Sequence, residues 1–217
     1  PKYYMPFAGS YLLSGKLACL NDKRVNSCPY EAKKYFEENY PYSLKDNKCV
    51  VLNRGESFDI KTRTQSKKYI HYSYEERQKY IEDFLSKIKF DYEMKKMVQD
   101  PIGEIHHLLE DCYIRMEKHR KRLDFFTDTS VYIKIDSDNY ICVTMNGQGC
   151  YIVDKKHLLK CKKHIIMEMD IRLLVDILKG PKYAHWDNAD TGSHISYIKN
   201  PNIHEKGIYH TICYFHS

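Results

Sequence analysis

A chain of 217 residues with 42% hydrophobic content is long enough to bury a core, in one large domain or two small ones, and its 29% charged residues argue against long disordered stretches. No apolar run approaches the roughly 20 residues that cross a bilayer, and no secretory signal is recognisable, so no membrane partner is expected and the expected location is cytoplasmic. A net charge of +6 together with 20 tyrosines is a composition that a nucleic-acid surface can show. Lysine and tyrosine are spread through the chain, however, and the runs Lys67-Lys68, Lys95-Lys96 and Lys155-Lys156 are short. A solvated basic surface is the simpler reading, and nucleic acid is not an expected partner.

Eight cysteines are scattered without a Cys-x-x-Cys pair and several sit in apolar runs, which reads as reduced, buried thiols. The chain starts at Pro1, directly before a strand-like stretch, and is expected to be a domain of a longer protein. Lys2 to Phe7 reads as a short strand closed by Pro6, with a turn at Ala8-Gly9-Ser10. Leu12 to Leu20 is moderately apolar. Ser27 or Cys28 caps a helix with Pro29 in its first turn, ending before Pro41. Cys49 to Leu52 is a strand, Asn53 to Glu56 a turn, and Phe58 to Ile60 the returning strand. Residues 61–73 carry no period and read as a linker.

Ser73-Tyr74-Glu75-Glu76 is a capping box opening a helix with Tyr80, Ile81, Phe84, Leu85 and Ile88 at helical spacing. Asp100-Pro101 opens another, whose apolar face is Ile102, Ile105, Leu109, Cys112, Tyr113 and Met116. His106, His107 and His119 lie on that helix, but without a His-Glu-x-x-His pattern they do not read as metal ligands. Val131 to Ile135, Tyr140 to Met145 and Cys150 to Val153 alternate between turns and form an antiparallel meander; His164 to Met169 is a fourth strand. Asp170 caps a helix from Ile171 to Leu178 that Gly180-Pro181 ends. Ser193 to Ile198 is a fifth strand or edge, and Ile208 to Phe215 a closing helix. The expected class is α+β, with helices on one face of an antiparallel sheet.

The segment from Gly180 to Ser217 concentrates candidate functional residues. It holds the single tryptophan, and the polar run from His185 to Gly192 reads as a loop. The Trp186 indole beside Asp187 and Asn188 suits a sugar ring, with apolar face and hydrogen-bonding groups together. Equally, Trp186 can anchor a loop while Asp187 and Asn188 cap backbone groups. His185 and His194 can act as acid and base near neutral pH, or simply hydrogen-bond.

Pro6-Phe7-Ala8-Gly9 followed by Lys16 to Asn21, then Leu52 to Asp59, then Trp186 to Gly192 with Asn200-Pro201, resembles the C-terminal portion of metallo-β-lactamase-fold proteins. The branch is the one that includes CMP-N-acetylneuraminate hydroxylase. The resemblance implies that residues 1–72 end a metallo-β-lactamase-like αβ sandwich, with Phe7, Ala8 and Gly9 near an upstream metal site. Residues 73–217 would then be a helical linker and an α+β accessory domain, sterol-carrier-like and with an apolar pocket. It further implies a metal-dependent enzyme, a hydrolase or hydroxylase, acting on a sugar nucleotide or amino sugar. Its zinc or iron would be held outside this chain, by an upstream segment or a companion chain, because neither a His-x-His-x-Asp-His string nor a Rieske pattern occurs here. Lys199 stands where an arginine would clamp a phosphate and lacks the guanidinium fork. No catalytic residue is assigned, and the substrate-binding candidates are Trp186, Asp187, Asn188, His185, His194 and Lys199. The alternative is a non-catalytic module binding an amphipathic ligand or a partner protein.

Overall fold

Local capping chemistry starts most of the helices in the computed structural model, which describes residues 2–6, 11–23, 28–40, 48–158 and 161–217. The chain divides into two compact units, Pro1–Lys89 and Phe90–Ser217. The division falls after Lys89 rather than at the 72/73 boundary expected from sequence, for a reason visible in the contacts of residues 73–87 given below.

In the first unit, β1 (Tyr3–Tyr4) pairs in parallel with β2 (Lys48–Cys49), and the pairing continues one residue further through Val50 N–H to Tyr4 O at 2.9 Å. A 3-10 segment covers Gly15–Lys23. Between the paired strands lies α1 (Pro29–Asn39), begun by a capping box: Cys28 Sγ accepts the Glu31 N–H at 3.4 Å while Glu31 Oε2 accepts the Cys28 N–H at 2.8 Å. Of the two caps allowed by the sequence, Cys28 is the one seen; Ser27 lies outside the described residues, as do Phe7, Ala8 and Gly9. β3 (Phe58–Asp59) does not return along Cys49 to Leu52. It pairs with β4 (Thr64–Gln65), so the stretch expected as a linker holds a hairpin. The hairpin wins because Asp59 Oδ1 accepts the N–H groups of Lys61 at 2.7 Å and Thr62 at 3.1 Å and turns the chain at once.

The expected capping box at Ser73 is present and opens α2 (Tyr74–Asp83). Of the residues at helical spacing only Ile81 is buried; Tyr80, Phe84 and Ile88 are exposed. Tyr74 and Gln78 donate to Asp22 Oδ1 at 3.3 and 2.8 Å, and the turn Leu85–Lys87 packs on Gly15–Lys23. These contacts tie residues 73–87 to the first unit.

The second unit is α+β. After the capped α3 (Pro101–His106) and α4 (Leu109–Arg122) come β5 (Ser130–Lys134), β6 (Asn139–Val143), β7 (Cys150–Asp154), α5 (Lys155–Leu158), β8 (His164–Glu168), α6 (Ile171–Leu178), α7 (Trp186–Thr191), β9 (Ser196–Asn200) and α8 (Lys206–Ile212). Five strands form one sheet in the order β7-β6-β5-β8-β9. The meander is antiparallel, but β8 runs parallel to β5, with Val131 opposite Ile165, so the sheet is mixed rather than antiparallel throughout. Reaching β5 in parallel requires a crossover, and the connection through α5 supplies it.

Alternation along the strands splits the core in two. Val131, Ile133, Ile141, Val143, Ile165 and Met167 face α4, α6, α7 and α8 in the main core. Tyr132, Tyr140 and Cys142 point the other way and pack with Leu158 of α5. Gly207 has no room for a side chain, since a Cβ there would lie 2.2 Å from the Phe125 ring. Among the described residues no helix is long and apolar enough to cross a membrane.

Ile141 is fully buried whereas Ile198 on the edge strand is 54% exposed. Ile141→Ala is therefore expected to cost about 2–5 kcal/mol, and Ile198→Ala no more than about 0.5 kcal/mol. Urea denaturation followed by the fluorescence of Trp186, the single tryptophan, reads the second unit directly; equal costs at the two positions would contradict the assigned core.

Candidate functional site

The run from His185 to Gly192 is a helix, not a loop. Trp186 and Ala189, three apart, form its buried face; the His185 ring accepts the Asp187 N–H at 3.2 Å as the cap, and Gly192 N–H closes the far end on Asn188 O at 2.9 Å. Trp186 is only 2% exposed and donates its indole N–H to Phe215 O at 2.9 Å. A ring so enclosed has no face left for a sugar, which corrects its assignment as a stacking residue.

Most of the other candidates in this segment also meet local partners. Asp187 Oδ1 accepts the Cys213 thiol at 2.8 Å, and burial, followed by this carboxylate, pushes Cys213 up to about 12. Asn188 is exposed on the outer side of α7. His194 Nδ1 lies 3.0 Å from the Tyr92 hydroxyl and its ring stands edge-on to Phe90. Lys199 sits over the Tyr209 ring at 5.4 Å. His185 and Asp187 meet at the start of α7, but His194 and Lys199 serve other neighbours, so the six residues do not assemble one site.

A cleft of about 400 Å³ opens instead in the first unit, lined by Lys33, Glu37, Lys48, Cys49, Val50, Phe58, Arg63 and Gln65. That volume falls in the range of small-molecule sites, about 300–1,000 Å³. Each wall follows from local structure. α1 carries Lys33 and Glu37 four residues apart on one face, 3.7 Å between charged atoms. Pairing with β1 extends the chain through residues 48–50, leaving Lys48 exposed while Cys49 and Val50 are buried. Phe58 packs on the Tyr3 ring at 5.1 Å, and Gln65 Nε2 donates to Val51 O at 2.8 Å, fastening the hairpin to that strand.

Arg63 enters the cleft from the hairpin turn with φ of 60°, a left-handed conformation that favours glycine. Electrostatics in the cleft is one-sided: three cations face one carboxylate. Burial, and then Glu37, pushes the Cys49 thiol up, outweighing the lowering by Tyr4 and Lys33, so at neutral pH it is a neutral part of the floor rather than a nucleophile. The arrangement can hold an anion above an apolar floor.

Sequence reasoning missed Lys33, Lys48, Arg63 and Gln65, which look like ordinary surface residues until folding brings them together. Phe58 alone lies in a stretch, Leu52 to Asp59, that the resemblance singled out. No cluster of three His, Cys, Asp or Glu side chains suited to a metal occurs among the described residues. The zinc or iron implied by the resemblance therefore finds no cage among them. No family model, curated protein or solved structure matches this chain.

All eight cysteines are free thiols, and exposure separates them. Iodoacetamide at pH 8 is expected to label exposed Cys19 promptly and Cys49, Cys112 and Cys213 far more slowly. For a thiol at about 12, such as Cys213, only about one molecule in 10,000 is thiolate at that pH. Peptide mass spectrometry over time checks this; labelling of Cys49 as fast as Cys19 would contradict its place in the cleft floor.

Proposed function

We propose that this chain is a binding module for a small amphipathic anion, taken up in the cleft of the first unit. The observation that carries the reading is that exposed Lys48 and Arg63, with Lys33, line one cleft together with the half-buried Phe58 and the buried Val50. Charge-assisted hydrogen bonds from such cations are worth about 1.5–3 kcal/mol each. Apolar contact with the floor adds roughly 25 cal/mol per Å² removed from water. Neither part suffices alone: surface cations without a floor give weak, salt-screened attraction, and a floor without cations gives no orientation.

A second reading is favoured by one observation: Phe58, which belongs to a motif of the metallo-β-lactamase-like resemblance, is in the cleft wall. In that reading the module contributes substrate contacts to a metal-dependent enzyme acting on a sugar nucleotide or amino sugar. The metal would be held by residues other than those described. The finer fold assignment belongs to the same proposal: the first unit as the end of a metallo-β-lactamase-like sandwich, the second as a sterol-carrier-like domain. Its support is the order of the sequence motifs together with the α+β sheet.

Isothermal titration of the full chain with an aromatic anion, phenyl phosphate or benzoate, tests the site. Lys48→Ala and Arg63→Gly are each expected to weaken binding by about tenfold or more, about 1.4 kcal/mol, and added salt to weaken it further. Arg63→Gly removes a cation while supplying the residue that the left-handed turn position prefers, so Tm should hold or rise. Affinity unchanged in both variants would contradict the proposal.

A further inference from the structure

Charge counting in the cleft narrows the ligand. Lys33, Lys48 and Arg63 carry three positive charges and Glu37 one negative, an excess of two among the lining residues. The Lys33–Glu37 pair does not cancel Lys33. Its side chains are 35% and 48% exposed, and lysine preceding glutamate by four residues is the weaker order for a helical pair. Lys33 is thus able to turn toward a stronger anion.

A carboxylate or a sulfate ester brings one negative charge and leaves a cation uncompensated. A phosphate monoester carries about −1.5 to −2 at pH 7 and matches the excess. The chemistry of the donors agrees: a guanidinium fork can take two oxygens of a tetrahedral anion at once, and ammonium groups act as point charges beside it. The wall makes a further demand, because bare phosphate would leave the half-buried Phe58 ring uncovered. Phe58, backed by Tyr3, offers a ring to an aromatic or apolar body.

We infer that the cleft takes the dianion of a soluble phosphate monoester bearing an aromatic or apolar body, an inference that rests on the anion site proposed above. Glu37 then stands beside the phosphate-binding cations as an acceptor, suited to a hydroxyl or N–H on that body rather than to a second phosphate.

The test is a titration of the full chain at pH 7.5 with phenyl phosphate, phenyl sulfate, inorganic phosphate and vesicles of phosphatidylcholine with phosphatidic acid. Phenyl phosphate is expected to bind about tenfold more tightly than either phenyl sulfate or inorganic phosphate, and Phe58→Ala to close the gap to inorganic phosphate. Equal affinity for the two phenyl esters, both weakened by Arg63→Gly, would overturn the dianion inference and leave the anion site standing. Equal affinity for inorganic phosphate would overturn the assigned role of the floor. Binding to the vesicles alone would move the ligand to a lipid headgroup and overturn the soluble ester. Failure of every anion to bind would remove the site itself.

Discussion

Successive side chains of an extended chain point to opposite sides, and that constraint organises the sheet of the second unit. Around β5 it yields two apolar layers, Val131 and Ile133 on one face and Tyr132 on the other, so the central strand is enclosed on both sides. The chain after β2 departs from it. Lys48 is exposed while Cys49, Val50 and Val51 are buried in succession, so the boundary between charged and apolar surface falls next to Lys48. Alternation thus encloses β5 on both sides in one unit, and an unbroken buried run beside an exposed lysine marks the wall in the other.

Several polar side chains of the second unit hold one another. Glu117 receives both Arg120 Nε and Nη2 at 2.7 Å, Thr127 and Thr129 both donate to Glu205, and Tyr197 donates to Asp190 at 2.6 Å. A group already held by a neighbour must give up that bond to meet a ligand, and the loss offsets most of the gain. In the cleft of the first unit the balance differs. Lys48 and Arg63 are exposed cations with no ion pair to a described carboxylate, and Lys33 has only a loose helical partner, so an incoming anion gains contacts without breaking strong ones.

The helix starts were legible because capping is local chemistry. Cys28 with Pro29, Ser73 with Glu76, Asp100 with Pro101 and Asp170 all act where spacing places them. The meander was legible through alternation and turns. Less could be read where distant pairing decides the outcome. Nothing local in His164 to Glu168 says that its neighbour is β5 in parallel. The hairpin of Phe58-Asp59 with Thr64-Gln65, by contrast, does carry a local sign, Asp59 at the start of its turn, inside a stretch that otherwise reads as a linker. The segment from His185 to Gly192 misled because its polar letters suit a turn, while the spacing of Trp186 and Ala189, which buries one helical face, was too short to register as periodicity. The cleft was hidden for a related reason. Its cations come from a helix, a strand and a turn, and each is an unremarkable surface residue until the hairpin is fastened by Gln65 to Val51.

The central claim is that an anion with an apolar body is held between Lys33, Lys48, Arg63 and Phe58. Backbone and side-chain NMR of the isotope-labelled full chain, recorded while phenyl phosphate is added, tests it most directly. Saturable shifts concentrated at residues 33, 48–50, 58, 63 and 65, with the resonances of Trp186 and the β5 strand unmoved, are the predicted result. Shifts centred on the second unit, or scattered and unsaturable changes over the basic surface, would contradict it.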